Sequence, residues 1–152
     1  MKKKKARILV IHGPNLHLLG KREPQIYGNV SLSQINKEIQ EAAKKHDCVI
    51  EIMQSNSEGD IVEAITTRVY NFLIINPAAY THTSVAIRDA IAGVDIPAIE
   101  VHLSNIYKRE QFRKKSLISD IVVGIITGLG PIGYLLAISA AREFLTKSRE
   151  DQ

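Results

Sequence analysis

Glu100 and His102 stand two residues apart in the stretch EVHLSN. On a strand, that spacing points both side chains to one side. A carboxylate beside an imidazole fixes the ring's tautomer and favours its charged form, which suits a general acid. A structural histidine bonded to a core carboxylate would show the same spacing. Arg22 and Tyr27 share the stretch GPNLHLLGKREPQIYGNVS. A phenol titrates near ~10, so a tyrosine working as a base near neutrality needs ~3 units, or about 4 kcal/mol, from more than one favourable contact. A guanidinium is such a contact; a surface tyrosine beside a solvated arginine is the plainer alternative. Arg109 and Arg113 in IYKREQFRKK are four apart, which on a helix sets two guanidiniums on one face. That pair suits an anionic or polyhydroxyl ligand, or else a solvated charged face. His82, Thr83 and Ser84 in NPAAYTHTS precede an apolar periodic run, where they can cap a helix or leave backbone N–H groups to hold an oxygen.

The elements that must position these groups alternate along the chain. Short apolar, β-branched runs read as strands at residues 7–13, 48–54, 72–77, 97–103 and 120–127. Helical periods fill residues 31–46, 57–70, 83–94 and 131–145, and IYKREQFRKKS reads as a short basic helix. In the first of these helices Leu32, Ile35, Ile39 and Ala42 or Ala43 share a face, with Ser31 as a candidate N-cap. This β-α alternation predicts a five-stranded parallel sheet with helices on both faces, because parallel strands need right-handed crossovers. A single unit of this size matches the flavodoxin-like α/β three-layer sandwich, strand order 2-1-3-4-5, whose ligands bind at the carboxyl ends of the strands. Beyond strand one lie Asn15 and His17, and beyond strand two Ser55, Asn56 and Ser57. Asn76 ends strand three, with Tyr80 to Ser84 following, and His102, Ser104 and Asn105 close strand four. The polar groups therefore gather at strands one, three and four. The loop between strand one and its helix spans about seventeen residues where two to six are usual, as a lid or binding loop would.

Gly128, Gly130 and Gly133 spell G-x-G-x-x-G after the fifth strand. A dinucleotide site places that motif after the first strand of a βαβ unit, with an acid ending the next strand ~20 residues on. Here only helix and tail follow. The glycines are better read as a tight turn that launches the last helix, with Gly133 allowing close packing.

The 152 residues form a single domain, with 1–6 as a basic tail and 147–152 as a frayed end. The 45% hydrophobic and 24% charged content is that of an ordinary globular protein. The net charge of +4 comes from Lys2 to Lys5, since the other 16 basic residues balance 16 acidic ones. A terminal lysine run is more simply a solvated tail than a nucleic-acid site. No apolar run approaches a membrane span or a signal-peptide core. One cysteine, Cys48, excludes an internal disulfide and a cysteine-based metal site, and a reducing cytoplasm fits.

Five blocks together carry a family resemblance: GPNLHLLGKREPQIYG, SNSEGDIVEAI, NPAAYTHTSVAIRDAI, IPAIEVHLSNIYKREQFRKKS and GLGPIGYLLAI. In their order the chain is similar to type II 3-dehydroquinate dehydratases over nearly its whole length. The resemblance implies trans elimination of water from 3-dehydroquinate through an enolate, without metal or organic cofactor, in aromatic biosynthesis by the shikimate pathway or in quinate breakdown. It makes Tyr27 the base that takes a proton from carbon 2, with Arg22 holding the phenolate. Asn15 would position a water on the enolate oxygen. His102 would protonate the leaving hydroxyl, supported by Glu100. Asn76, His82 and Arg113 would bind substrate hydroxyls, and Leu103 and Ser104 the carboxylate. Arg109 would orient the lid. Asp89 would reach a neighbouring subunit's site, since the family assembles as a dodecamer of four trimers.

Overall fold

The computed structural model describes residues 4–21 and 23–150; Arg22 lies outside the described residues. The regular elements run β1 (Ala6–His12), α1 (Pro24–Tyr27), α2 (Leu32–Lys45), β2 (Cys48–Gln54), α3 (Glu58–Thr67), β3 (Phe72–Asn76), α4 (Val85–Val94), β4 (Ala98–His102), β5 (Gly124–Thr127) and α5 (Ile132–Glu150). The five strands form one sheet in the order β2-β1-β3-β4-β5, and every pairing is parallel. This is the flavodoxin-like order expected from the alternation.

The sheet is dry on both faces at its centre, so β3 and β4 are buried at every residue, as apolar runs in parallel sheets are. Alternate side chains feed two cores. Ile8, Val10, Phe72, Ile74, Ile99 and Val101 meet Ile35 and Ile39 of α2 and Ala137, Ile138 and Ala141 of α5. Leu9, Ile11, Leu73, Ile75 and Ala98 meet Ile61 and Ile65 of α3 and Ile87 and Ile91 of α4. Local signals begin each covering helix. Ser31 caps α2 in a capping box with Gln34. Ser57 and Ser84 cap α3 and α4 by accepting the backbone N–H groups of Asp60 and Ile87.

Three segments differ from the sequence reading. IYKREQFRKKS is not one helix but two single 3-10 turns, Ile106–Lys108 and Gln111–Arg113, with Arg109 and Glu110 extended between them. Only Ile106 of these two turns is buried, so a continuous helix would have had no apolar face to anchor it. The fifth strand begins at Gly124 rather than near Asp120, because Ser119 and Asp120 are drawn aside to bond Glu100 and Arg88. At the ends of the chain, Ala6 already belongs to β1, and α5 continues through Lys147 to Glu150.

Candidate active site

The register of the sheet brings the chemistry to one edge. His12 pairs with Asn76 at the ends of β1 and β3, and Glu100 pairs with Ile75, which leaves His102 at the outer end of β4. A cavity opens above these ends. It is lined by Asn15 and Tyr27 from the long loop, Asn76 and His82 from the end of β3, and His102, Leu103 and Ser104 from the end of β4. Arg109, just beyond the first 3-10 turn, and Arg113, in the second, also line it, so both guanidiniums reach one site without the helical face expected of them. Asp89 lies elsewhere, exposed on α4 and outside this cavity.

His102 donates its Nε2–H to Glu100 Oε1 at 2.7 Å. A carboxylate only accepts, so this bond fixes the tautomer and leaves Nδ1 as the nitrogen available for proton transfer. Glu100 is fully buried. Burial by itself would push its carboxyl up. The bonds from His102 and Ser119, the adjacent imidazole and the bond from Ser116 outweigh that, and hold it below the usual carboxylate range. Glu100 occupies the same side of β4 as Ala98, where an apolar residue would otherwise face the second core.

Tyr27 ends the short helix α1, which Pro24 opens and Gly28 closes at φ 76°. Its hydroxyl oxygen accepts a 2.7 Å hydrogen bond from Arg109 Nη1, and the same guanidinium lies 5.4 Å from the ring centroid. A residue from the segment after β4, outside the loop that carries Arg22 and Tyr27, thus supplies a cation to the phenol. Arg113 is held by Glu110 at 2.6 Å. Asn15 sits in the left-handed region at φ 67°, and its backbone N–H donates to Asn56 Oδ1 at 2.9 Å. The strained turn is tied down from just beyond β2, and Asn15 lines the cavity.

A second network lies beneath the cavity, and the sequence did not disclose it. Asn76 Nδ2–H donates to the Tyr134 hydroxyl oxygen at 3.2 Å. Tyr134 O–H donates to His12 Nδ1 at 2.8 Å, and His12 Nε2–H donates to Asn36 Oδ1 at 2.8 Å. The chain of donors works only with a neutral imidazole. Burial pushes His12 down to about 4, against the smaller opposing effect of Asn36. Asn76 Oδ1 accepts the Ala78 N–H at 3.1 Å, so both ends of the amide are oriented. The available signal was Tyr134 on an otherwise apolar helical face, since a buried tyrosine needs a partner for its hydroxyl. His82 is likewise oriented: its Nδ1–H donates to the Lys115 carbonyl at 2.7 Å, and the residue lines the cavity.

The glycine motif serves this site from behind. Gly128 and Gly130 have φ values of 87° and 65°, and their N–H groups donate to the carbonyls of His102 and Leu103. A Cβ at Gly133 would crowd Ile126 at 3.3 Å and touch Val101 at 3.5 Å. The turn pins the end of β4 and seats α5 on the sheet. Among the described residues, no three His, Cys, Asp or Glu side chains gather as a metal site would require.

The family model for class II dehydroquinase matches residues 6–142. The 3-dehydroquinate dehydratase of Hydrogenovibrio crunogenus is 57% identical over 142 residues, covering 92% of this chain and 99% of that protein. That of Francisella philomiragia is 53% identical over 143 residues, covering 94% and 99%. The crystal structure of the type II dehydroquinase from Butyrivibrio crossotus superposes with a TM-score of 0.88 at 44% identity, over 90% of this chain and 97% of that one. This chain belongs to the class II dehydroquinase family.

Proposed function

We propose that the protein converts 3-dehydroquinate to 3-dehydroshikimate by a trans elimination through an enolate. The observation that carries this reading is one cavity holding a tyrosine hydroxyl bonded by a guanidinium and a histidine backed by a buried carboxylate. Elimination beside a ketone needs a base, an acid and a partner for the developing oxyanion. Tyr27 as phenolate takes the proton from carbon 2, and the electron pair moves to the ketone oxygen as the enolate forms. A water held by Asn15 donates to that oxygen. The enolate then collapses and expels the carbon-1 hydroxyl, which takes the Nδ1 proton of His102 and leaves as water. Tyr27 ends protonated and His102 neutral, and return of one proton from the former to the latter resets the site.

The remaining groups bind. Asn76, His82 and Arg113 take the substrate hydroxyls, and Leu103 and Ser104 take its carboxylate through backbone N–H groups and the serine hydroxyl. Arg22 joins Arg109 in holding the phenolate, and the segment carrying both Arg22 and Tyr27 closes as a lid. Asp89 completes the site of a neighbouring subunit in a dodecamer of four trimers. The exposed apolar residues Val123, Ile125, Leu129, Ile132 and Leu136, just before, on and after the edge strand β5, are consistent with self-association. The proteins it resembles carry the name of an enzyme on a small-molecule substrate, so the metabolic setting is the shikimate route to aromatic compounds or quinate breakdown. Among the described residues no helix is long and apolar enough to cross a membrane, and the lone cysteine suits a reducing cytoplasm.

The test is direct. Purified enzyme given 3-dehydroquinate should generate the near-ultraviolet absorbance of a conjugated enone acid, at the same rate with and without EDTA. Loss of the rate on chelation and its recovery with a divalent metal would remove the cofactor-free mechanism.

A further inference from the structure

We infer that Ser116 and Ser119 are positioning residues for the acid–base function of His102, acting through Glu100. This rests on the reading of His102 as the general acid. Glu100 Oε1 accepts both the His102 Nε2–H at 2.7 Å and the Ser116 O–H at 2.8 Å, and Oε2 accepts the Ser119 O–H at 2.5 Å. The buried carboxylate therefore has three donors, and two of them are hydroxyls from one short segment after the last 3-10 turn. That segment is itself locked. Ser116 Oγ accepts the N–H groups of Ile118 and Ser119 at 3.2 Å each. Leu117 N–H donates to the Thr81 carbonyl at 2.9 Å, and the Leu117 carbonyl accepts from Arg88 Nη1 at 2.7 Å. One residue earlier, the Lys115 carbonyl takes the His82 Nδ1–H. Residues 115–119 thus hold both cavity histidines, one by a carbonyl and the other through Glu100.

The chemistry gives the serines a role beyond packing. An imidazolium next to a buried carboxylate can surrender its Nε2 proton to it, which leaves a neutral ring and a much weaker acid. Hydroxyl donors stabilise the carboxylate and not the carboxylic acid, so they oppose that transfer. They also stabilise the state left after His102 has given up its Nδ1 proton, when the buried carboxylate has lost its countercharge. Removing them makes the pair hold its proton more tightly. Other charged groups do not substitute. Arg88 and Asp120 on the flanking elements pair with each other. His82, Arg109, Arg113 and Tyr27 line the cavity together with His102, and Glu100 does not line it. On the strands either side, Ile75 and Ile125 stand opposite Glu100.

The experiment is a kcat–pH profile of Ser116→Ala/Ser119→Ala, with an NMR titration of the His102 ring in the same protein. The expected result is about a tenfold fall in plateau kcat, since two hydroxyl donors to the carboxylate are lost while the His102 bond remains. KM should hardly change, and the alkaline limb and the His102 ring titration should both move to higher pH. Glu100→Gln, which removes the countercharge, should move the ring titration to lower pH. A folded double variant whose ring titration matches wild type overturns the inference, and so does a fall in kcat with an unmoved alkaline limb. Should the double variant not fold, Ser119→Ala alone is read by the same criteria. The NMR titration needs no turnover, so failure of this inference is separable from failure of the acid assignment, which His102→Ala kinetics decides.

Discussion

At the residue scale, the groups around the cavity have distinct effects. His102→Ala should lose about 10²–10⁴ in kcat, the usual worth of a positioned general acid, and should melt below the wild type because the buried Glu100 loses a donor. Retention of the wild-type rate in that variant would remove His102 from the mechanism. Arg109→Ala should also lower kcat, because Tyr27 loses both the hydrogen bond at 2.7 Å and the cation near its ring. Its stopped-flow and steady-state rates check this, and an unchanged kcat would leave Arg109 a structural residue. Glu100 and His102 were legible as neighbours because the period of two places side chains on one side of a strand without knowledge of the fold, whereas Tyr27, in the long segment between β1 and α2, was given its role only by the family resemblance. Their supports were not. Ser116 and Ser119 reach Glu100 from 16 and 19 residues away, and Tyr134 reaches His12 from 122. Serines and a tyrosine in ordinary-looking sequence acquire these partners only once the sheet order is set.

At the element scale, the turn after β5 couples the fold to the site. Gly128 adopts φ 87°, and a Cβ there would lie 2.8 Å from Asn105 Cβ. Gly128→Ala should cost about 1–3 kcal/mol by backbone strain alone and should disturb the end of β4, which its N–H holds through the His102 carbonyl. Urea melts and KM measure the two effects, and wild-type values of both would show that the turn relaxes freely. Ser84→Ala removes the cap of α4 and should cost about 1 kcal/mol. The β-α rhythm was legible from periodicity, because parallel strands are apolar throughout and the covering helices are not. The 106–116 segment was misread for a physical reason. The four-residue spacing of Arg109 and Arg113 mimics a helical face, yet a helix there would have buried nothing beyond Ile106. The strand order was legible from size and class. The shortening of β5 was not, since it follows from side chains that leave the sheet to bond Glu100 and Arg88.

At the scale of the whole molecule, a neutral histidine in the core makes stability depend on pH. His12 ordinarily titrates at 6.5 and is pushed down to about 4 by burial. Between those values the unfolded chain binds a proton that the folded one excludes. Stability is therefore full above pH 6.5 and falls as pH drops toward 4, by about 3 kcal/mol in all. Urea melts across that window should show the slope, and His12→Asn should flatten it. An equal slope in that variant would place the acid sensitivity elsewhere. Because the same histidine accepts from Tyr134, which in turn orients Asn76, acid should weaken the site and the fold together. Sedimentation should find a particle of twelve chain masses, and a monomer at assay concentration would contradict the shared role of Asp89. The central claim is that Tyr27 and His102 carry an elimination on 3-dehydroquinate within this cavity. Turnover of that compound by wild type and by Tyr27→Phe, followed by near-ultraviolet absorbance, tests it most directly. The account predicts product from the wild type and a loss of about 10²–10⁴ in the folded variant; no product from the wild type, or an equal rate from Tyr27→Phe, would contradict it.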